Sequence, residues 1–192
     1  RAVSESKLEI SVEVPPALEL QWAVAREELD LAVGTLPVSS VMAEPLYDED
    51  LAIWAPPSHR LAQNRRARLA ELENVPLFCV SPSSPLRALL EDGAARAGIE
   101  LRVVAEFPSS EAVLRASIAA KIPAILPAPM LYDALHGSKN LNWHVVALTN
   151  PRPHRTIALL RRKGREENPA IRVFGAHLGA VGCEQEVLAR RE

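Results

Sequence analysis

Side chains that could perform acid–base, nucleophilic or metal chemistry are scattered along this 192-residue chain. The five histidines show no metal-ligand spacing to one another or to either cysteine. The serines do not form a nucleophile-elbow pattern, and the eight glycines supply neither a phosphate loop nor a dinucleotide fingerprint. Acidic clusters at residues 48–50 and 166–167 lie in predicted turns, where solvated side chains are the rule. We therefore predict no catalytic site, no metal site and no cofactor.

Two serine-rich segments are the best candidates for binding a ligand. Each follows a short apolar strand and begins a predicted helix. The free backbone N–H groups of the helix N-terminus and the serine hydroxyls could therefore bind the same ligand. The candidates in the first segment are Ser83 and Ser84, and those in the second are Phe107, Pro108, Ser109 and Ser110. Together these groups could hold a carboxylate. The alternative is that Ser84 and Ser109 serve only as N-caps.

Ligands in open α/β sheets bind at the carboxyl ends of strands, and two further loops fit that position less well. Thr35 and Leu36 follow the short apolar strand predicted at residues 29–33, which ends at Gly34. Pro127 and Ala128 follow the strand predicted at residues 122–126. These four residues are the weaker candidates.

The pattern of strands and helices predicts an α/β fold built on mostly parallel sheets. Residues 8–14 alternate apolar and polar side chains as a half-buried strand does, and a helix and the strand at 29–33 follow. That order favours a parallel strand–helix–strand unit. Residues 41–47 and 50–55 read as two strands with an acidic turn between them. A last helix begins at Pro169, and its apolar face includes positions 171, 174, 178 and 181.

The composition is that of an ordinary globular protein without a nucleic-acid-binding face. Apolar residues make up 48% of the chain and charged residues 24%, and the formal net charge is −2. A module that grips DNA by itself usually has a basic total, so we expect DNA contact only through another domain. Two cysteines cannot build a disulfide framework, and Cys79 in an apolar run is expected to be a buried free thiol. With neither a secretory signal nor an apolar run of membrane-spanning length, we expect a cytoplasmic protein with no membrane contact.

Several segments, in this order and spacing, resemble one known family over nearly the whole chain. The stretch EELDLAVG at 27–34 is similar to its habitual strand entry GELDLAIG, and SHRLA at 58–62 is close to its HPLA. Further similar segments are 44–47, 51–53, 69–72, 76–77, 106, 109–114, 125–127 and 155–162. The family is that of the effector-binding domains of LysR-type transcription regulators.

The resemblance implies the type 2 periplasmic-binding-protein fold, in which two Rossmann-like α/β lobes are joined by two crossover segments around a ligand cleft. Lobe I would comprise residues 1–75 plus 152–192, and lobe II residues 76–151. The family's domains open with a strand and a long helix, and this sequence starts near the end of that helix. We therefore expect the first strand and most of the first helix to be absent from this chain, and a DNA-binding winged helix-turn-helix to lie upstream of them.

The implied function is effector sensing and oligomerisation in a transcription regulator. A small-molecule effector, for which an organic acid is the suggested chemistry, would bind in the cleft and shift the attached DNA-binding domains. The family's loop that matches residues 107–110 lines this cleft. Its loop after the strand at 8–14 is usually polar, whereas here it holds Pro15 and Pro16, which puts a strongly polar ligand in doubt there. Homodimers or homotetramers are implied, with residues 16–26 of one chain meeting 85–97 of its partner.

Two other classes of protein remain as alternatives. An extracytoplasmic solute-binding protein shares the fold, and a leader peptide upstream would decide for it. A scaffold or enzyme on an unrelated α/β fold would require a convergent polar site.

Overall fold

The computed structural model describes residues 10–138, 140–164, 169 and 171–178 of the chain. The chain divides into two compact units. The first unit comprises Arg1–Asp48 and Arg155–Glu192, and the second comprises Glu49–His154. The strands are β1 Leu31–Thr35, β2 Met42–Ala55, β3 Arg66–Arg68, β4 Pro76–Val80, β5 Arg102–Phe107, β6 Ala124–Pro127, β7 His144–Thr149 and β8 His154–Arg161. The α-helices are α1 Leu20–Ala25, α2 Pro85–Arg96, α3 Ser110–Ala120 and α4 Ala128–His136, and two 3₁₀ turns span Arg60–Gln63 and Leu69–Leu72.

The second unit is built on a mixed sheet with the order β2-β6-β4-β5. β4 pairs in parallel with β5 and with β6, while β2 runs antiparallel to β6. β7 pairs with β2 and also with the short strand β3. The inner strands β4 and β6 are apolar and buried along nearly their whole length, as strands covered on both faces are, whereas the edge strand β5 alternates in burial. Its core includes Trp54, which stacks on Trp143 with ring centroids 5.0 Å apart.

The described part of the first unit is a smaller layer around β8. Leu31 to Thr35 of β1 pair antiparallel with residues 157–161 of β8. On its other side β8 lies next to β2. The core of this layer consists of Val24, Ala32, Ala158 and Leu160. Residues 171–178 are helical, as predicted for the last helix, and position 181 lies outside the described residues.

The strand predicted at 8–14 is wrong for the part that the structure describes. Residues 10–14 are extended without strand pairing, and Val12 and Val14 are exposed. An alternating pattern makes a strand only where a neighbouring strand accepts its hydrogen bonds. The parallel strand–helix–strand unit is likewise not formed among the described residues, since β1 pairs antiparallel with β8. Residues 8 and 9 lie outside the description.

The acidic turn predicted between two strands is also wrong, because residues 42–55 form the single strand β2. Two partners distant in the sequence hold the acidic residues in extended form. Thr156 donates its hydroxyl hydrogen to Asp48 at 2.6 Å, and Arg152 donates from Nε to Asp50 at 2.8 Å.

The two compact units are bounded at residues 48–49 and 154–155. The lobes that the resemblance implies, 1–75 plus 152–192 and 76–151, stay a prediction. Residues 49–75 thus group with the second unit. The physical reason is that the apolar second half of β2 pairs with β6 and β7, and Leu61, Leu69 and Leu72 are buried in the same core.

Local signals placed most other elements correctly. Ser84 caps α2 with Pro85 at its first turn, and Ser109 caps α3. Gly98, just after α2, adopts a positive φ of 73°. A side chain at that φ would be strained, which is why glycine ends this helix.

Candidate functional site

The structure brings the two serine-rich loops of the second unit together at one edge of the sheet. β4 and β5 are parallel neighbours, with Val80 opposite Phe107 at their carboxyl ends. The next residue after Val80 is Ser81, and its backbone N–H donates a hydrogen bond to the Phe107 carbonyl at 2.9 Å. We call the loop residues Ser83, Ser84, Ser109 and Ser110 the serine edge.

In the first loop, one serine caps a helix and another remains exposed. The Ser84 hydroxyl accepts a hydrogen bond from the Leu86 N–H at 3.3 Å. The Ser83 and Ser81 hydroxyls are 3.2 Å apart, at hydrogen-bond distance. Helix α2 is 12 residues long, so its first turn presents aligned backbone dipoles to this loop. The N-cap interpretation of Ser84 is therefore confirmed, and Ser83 is the more accessible hydroxyl of the pair.

The second loop has the same design. The Ser109 hydroxyl accepts from the Ala112 N–H at 3.2 Å, and Ser110 is the first residue of α3. Pro108 is exposed, while Phe107 is half-buried and packs against Phe78 with ring centroids 5.2 Å apart. This aromatic contact anchors the base of the loop in the core and leaves its polar tip toward solvent.

Pro127 and Ala128 lie at the same edge, one strand further along the sheet. β6 is parallel to β4, so the carboxyl ends of β4, β5 and β6 point the same way. Pro127 is buried, faces Leu51 of β2, and precedes α4 without offering a side-chain cap. These two residues therefore shape the edge through their backbone and contribute no polar side chain.

The candidates Thr35, Leu36, Pro15 and Pro16 lie in the first unit. Thr35 is the last residue of β1 and faces Ile157, and the Leu36 N–H donates to the Thr156 carbonyl at 3.0 Å. The Pro16 carbonyl accepts from the Glu19 N–H at 2.9 Å in the turn before α1. Within this unit, only Leu36 follows the strand end, because β1 extends through Thr35 and so ends later than predicted, whereas Pro15 and Pro16 follow unpaired chain.

Sequence reasoning missed Arg87, a guanidinium at the base of the serine edge. Its side chain is only 12% exposed. It donates to the Val80 carbonyl at 3.2 Å and to the carboxylates of Glu106 at 2.9 Å and Glu91 at 2.8 Å. The spacing of Arg87 and Glu91 along one helix face was the available signal, but the partner on β5 becomes visible only in the folded sheet.

The one described cysteine lies just behind this guanidinium. Cys79 is a buried free thiol on β4, as predicted. Burial raises its pKa above the ordinary cysteine value, although the neighbouring Arg87 acts in the opposite direction. Such a thiol carries little thiolate at neutral pH and is a weak nucleophile.

The opposite end of β4 and β5 holds a depression of about 560 Å³ lined by Glu73, Asn74, Ala95, Gly98, Ile99 and Glu100. Its two carboxylates do not suit an anionic ligand. No group of three or more histidine, cysteine or acidic residues suited to a metal ion occurs among the described residues. In the same part of the chain, no helix is long and apolar enough to cross a membrane.

The loops at the ends of these strands indicate the class of protein. In the second unit, parallel strands end in loops that lead into helix N-termini, which is the arrangement by which α/β proteins bind small molecules. The family follows from its sequence model, which is described as the LysR substrate binding domain and matches residues 4–182. The chain belongs to this family, as the resemblance predicted, and is a regulatory effector-binding domain by membership.

Relatives and solved structures agree with this assignment. A probable hydrogen peroxide-inducible genes activator of Mycobacterium avium is 28% identical over 166 residues, which are 85% of this chain and 53% of that protein. The chain thus spans about half the length of this curated relative. The regulatory domain of CcmR from Synechocystis PCC6803, solved with 2-PG, has a TM-score of 0.79 at 19% identity, covering 93% of this chain and 86% of that one. The effector binding domain of QuiR with shikimate has a TM-score of 0.71 at 20% identity, covering 84% and 76%.

Proposed function

We propose that this chain is the effector-sensing domain of a LysR-type transcription regulator and that it binds a small organic anion at the serine edge. The observation that carries the proposal is the pairing of two serine-bearing helix N-termini, those of α2 and α3, at the ends of adjacent parallel strands. Backbone N–H groups at a helix N-terminus attract negative charge, and two such ends side by side supply donors from two directions.

Each serine has a distinct part in this proposal. Ser84 and Ser109 are engaged as caps, so they hold the helix ends in place. Ser83 and Ser110 then supply hydroxyl donors to the ligand, and the backbone at Pro127 and Ala128 limits its size. In the first unit, Thr35 and Leu36 are proposed as further effector contacts. Pro15 and Pro16 offer only apolar surface, which suits a ligand with one anionic and one apolar end.

The regulatory step is a population shift. A ligand that contacts both units stabilises the arrangement of the units that it binds more tightly. The shift in free energy between two arrangements equals the difference in the ligand's binding free energy for them. DNA-binding domains elsewhere in the protein would feel that bias through a homodimeric or homotetrameric assembly. In that assembly, the segment at 16–26 of one chain is proposed to meet 85–97 of its partner. The net charge of −2 supports the view that this domain senses and does not itself hold DNA.

Two structural relatives support an anionic effector. The CcmR regulatory domain was solved with 2-PG and the QuiR domain with shikimate. Membership in a family of regulator domains also favours sensing over the alternative of solute capture for transport. We therefore expect the effector to belong to the carboxylate or phosphorylated-acid class.

The decisive experiment is a binding titration of the purified chain. Shikimate, 2-PG, succinate and benzoate are first screened by thermal shift, because a ligand at 100-fold excess over its Kd adds about 2.7 kcal/mol to the free energy of unfolding. The tightest binder is then titrated by calorimetry against the Ser110→Ala variant. Ser110 begins α3 without capping it, so the variant should fold normally and bind about tenfold more weakly, as expected for losing one hydrogen bond to a charged ligand.

Ser58→Ala is the control, since Ser58 is an exposed serine of the second unit that follows the end of β2, which pairs with the start of β6 at the edge opposite to the carboxyl ends of β4 and β5. Its affinity should equal that of the unchanged chain. Equal affinities for the Ser110 and Ser58 variants would contradict binding at the serine edge. Absence of binding by every acid in the panel would contradict the proposed chemical class of effector.

A second candidate function, peroxide sensing through a cysteine, is suggested by the name of the Mycobacterium avium relative. Cys79 does not favour it, because a buried thiol with a raised pKa reacts slowly with peroxide. Mass spectrometry after hydrogen peroxide treatment distinguishes the two functions. We expect Cys79 to remain a thiol at peroxide doses that oxidise free cysteine. Its rapid conversion to sulfenic acid would favour peroxide sensing.

A further inference from the structure

Arg87 joins the two loops of the serine edge at their bases. Its guanidinium Nη1 donates both to the Val80 carbonyl at 3.2 Å and to a Glu106 carboxylate oxygen at 2.9 Å. Val80 immediately precedes the loop that carries Ser83, and Glu106 precedes Phe107 in the second loop. Since Arg87 itself lies in α2, its side chain connects three elements: α2, the end of β4 and the end of β5.

The electrostatic setting shows that Arg87 does not attract the ligand directly. Its side chain is 12% exposed, and two carboxylates, those of Glu91 and Glu106, accept from its Nε and Nη1. One cation against two anions gives the cluster a formal charge of −1. A cluster of that sign repels an anion, so any contribution it makes to anion binding must come through geometry.

We propose that Arg87 is a positioning residue that sets the spacing between the two loops of the serine edge through its bond to Glu106. This inference rests on the proposed function. A guanidinium is planar and can donate along several directions at once, whereas a lysine ammonium on a flexible stem cannot hold the same set of acceptors. The bond to Glu106 therefore carries the positioning role, because it is the one that reaches the second loop.

The chain offers a closely matched control for this role. Glu91 and Glu106 are both glutamates, and both accept from Arg87, at 2.8 and 2.9 Å. Their side chains are 57% and 42% exposed. Glu91, however, lies on α2 together with Arg87, so its bond links nothing to β5. Glu106→Ala and Glu91→Ala thus remove the same kind of ion pair, and only the first removes the side-chain link from Arg87 to β5.

The first readout is the affinity for the tightest-binding acid of the panel. Positioning predicts that Glu106→Ala binds about tenfold more weakly and that Glu91→Ala binds as well as the unchanged chain or slightly better. A plain charge effect has the opposite sign, because loss of either carboxylate would strengthen the binding of an anion. Arg87→Lys keeps the charge and should bind as weakly as Glu106→Ala. Equal affinities of the two glutamate variants, or stronger binding by Glu106→Ala, overturn the proposal.

The second readout needs no ligand and separates this inference from the proposed function. The Ser81 amide donates to Phe107 across the two loops at 2.9 Å, so its hydrogen exchange reports their spacing directly. We expect faster exchange at Ser81 in Glu106→Ala and unchanged exchange in Glu91→Ala, at a temperature where both variants are folded. If no acid binds while this difference is seen, the effector proposal fails and the positioning role of Arg87 stands. Unchanged exchange in both variants overturns the positioning role itself.

Discussion

The described residues of the two compact units bury their apolar side chains to very different extents. The core cluster of the second unit includes Trp54, Leu126 and Leu131, each fully buried, and extends across its whole sheet. In the described part of the first unit, the cluster comprises Val24, Ala32, Ala158 and Leu160. Among the described residues, Val104 is the only exposed large apolar side chain in the second unit, whereas Ile10, Val12, Val14, Leu18, Trp22, Val33, Met42 and Val173 are exposed in the first.

This contrast follows from how many neighbours the strands of each unit have. In the second unit, most strands have a neighbour on either side or a helix above them, so each buried side chain meets many others. In the described residues of the first unit, β1 pairs along one edge only, with β8. Regions with few buried apolar contacts open at a lower free energy than dense ones. The serine edge stands on the unit whose described residues form the larger buried core, which suits a preorganised binding site.

The largest effect that tests this comparison is expected from a pair of identical substitutions, Leu126→Ala in the second unit and Leu160→Ala in the first. Both leucines are buried, at 0% and 1% exposure. Removing a buried leucine side chain costs about 2–5 kcal/mol, with the value depending on how far the site can collapse. We expect Leu126→Ala near the top of that range, because its dense surroundings cannot close the cavity, and Leu160→Ala near the bottom.

Urea unfolding followed by tryptophan fluorescence measures both variants. The stacked Trp54 and Trp143 report on the second unit, while Trp22, which is 48% exposed, lies in the first. Trp22→Phe isolates the signal of the second unit without disturbing a buried side chain. An equal or larger loss from Leu160→Ala would show that the first unit is as densely packed as the second and would remove the basis of the comparison.

A smaller effect is expected from Gly34→Ala in β1. The new Cβ would lie 2.8 Å from Cδ1 of Leu160, closer than real Cβ contacts, and 3.0 Å from Cδ2 of Leu20, which is a tight contact. Both contacts are ends of flexible side chains in a sparsely packed layer, so they can move. We expect a loss of about 1 kcal/mol in the free energy of unfolding, at the low end of the usual range for overpacking.

Combining Gly34→Ala with Leu160→Ala sharpens this test. The second substitution removes the atom that clashes, so the double variant should lose less than the two single losses added together. Strict additivity would mean that the strain arises elsewhere than at Leu160.

The same contrast explains which elements could be predicted from the sequence. Helix α2 carries its signals within a few residues, namely the Ser84 cap, Pro85 and the positive φ of Gly98, and it was placed correctly. The segment at 10–14 has the alternation of a strand but no strand partner among the described residues. β2 was divided at its acidic residues because Asp48 and Asp50 find Thr156 and Arg152 more than a hundred positions away. Local chemistry decides caps and turns, whereas strand extension depends on distant partners.

The candidate site shows the same limit. The loops at Ser83 and Ser109 were predicted because each follows an apolar run and starts a helix, which are local facts. Arg87 was missed because its second carboxylate partner, Glu106, is 19 residues away and meets it only when β4 and β5 pair. Side chains that bind a ligand can thus be suggested from sequence, while those that hold the binding loops in place require the register of the sheet.

The smallest expected effect is a pH dependence of the second unit that His59 provides. Its ring Nδ1 accepts a hydrogen bond from the Leu61 N–H at 3.3 Å and so caps the turn Arg60–Gln63. Burial, and to a lesser extent the nearby Arg60, lowers the pKa of His59 below the ordinary histidine value. The unfolded chain therefore binds the proton more readily, so this contribution to stability is complete above about pH 6.5 and is lost as the pH falls through the lowered pKa.

His59→Asn tests this contribution, because asparagine can cap the same turn but does not titrate. We expect the free energy of unfolding of the variant to depend less steeply on pH below about 6.5 than that of the unchanged chain, with little difference between them at pH 8. Urea unfolding at a series of pH values, read from the buried Trp54 and Trp143, measures the slopes. Parallel slopes would show that other groups carry the acid sensitivity, and a steeper slope in the variant would reverse the sign argued for His59.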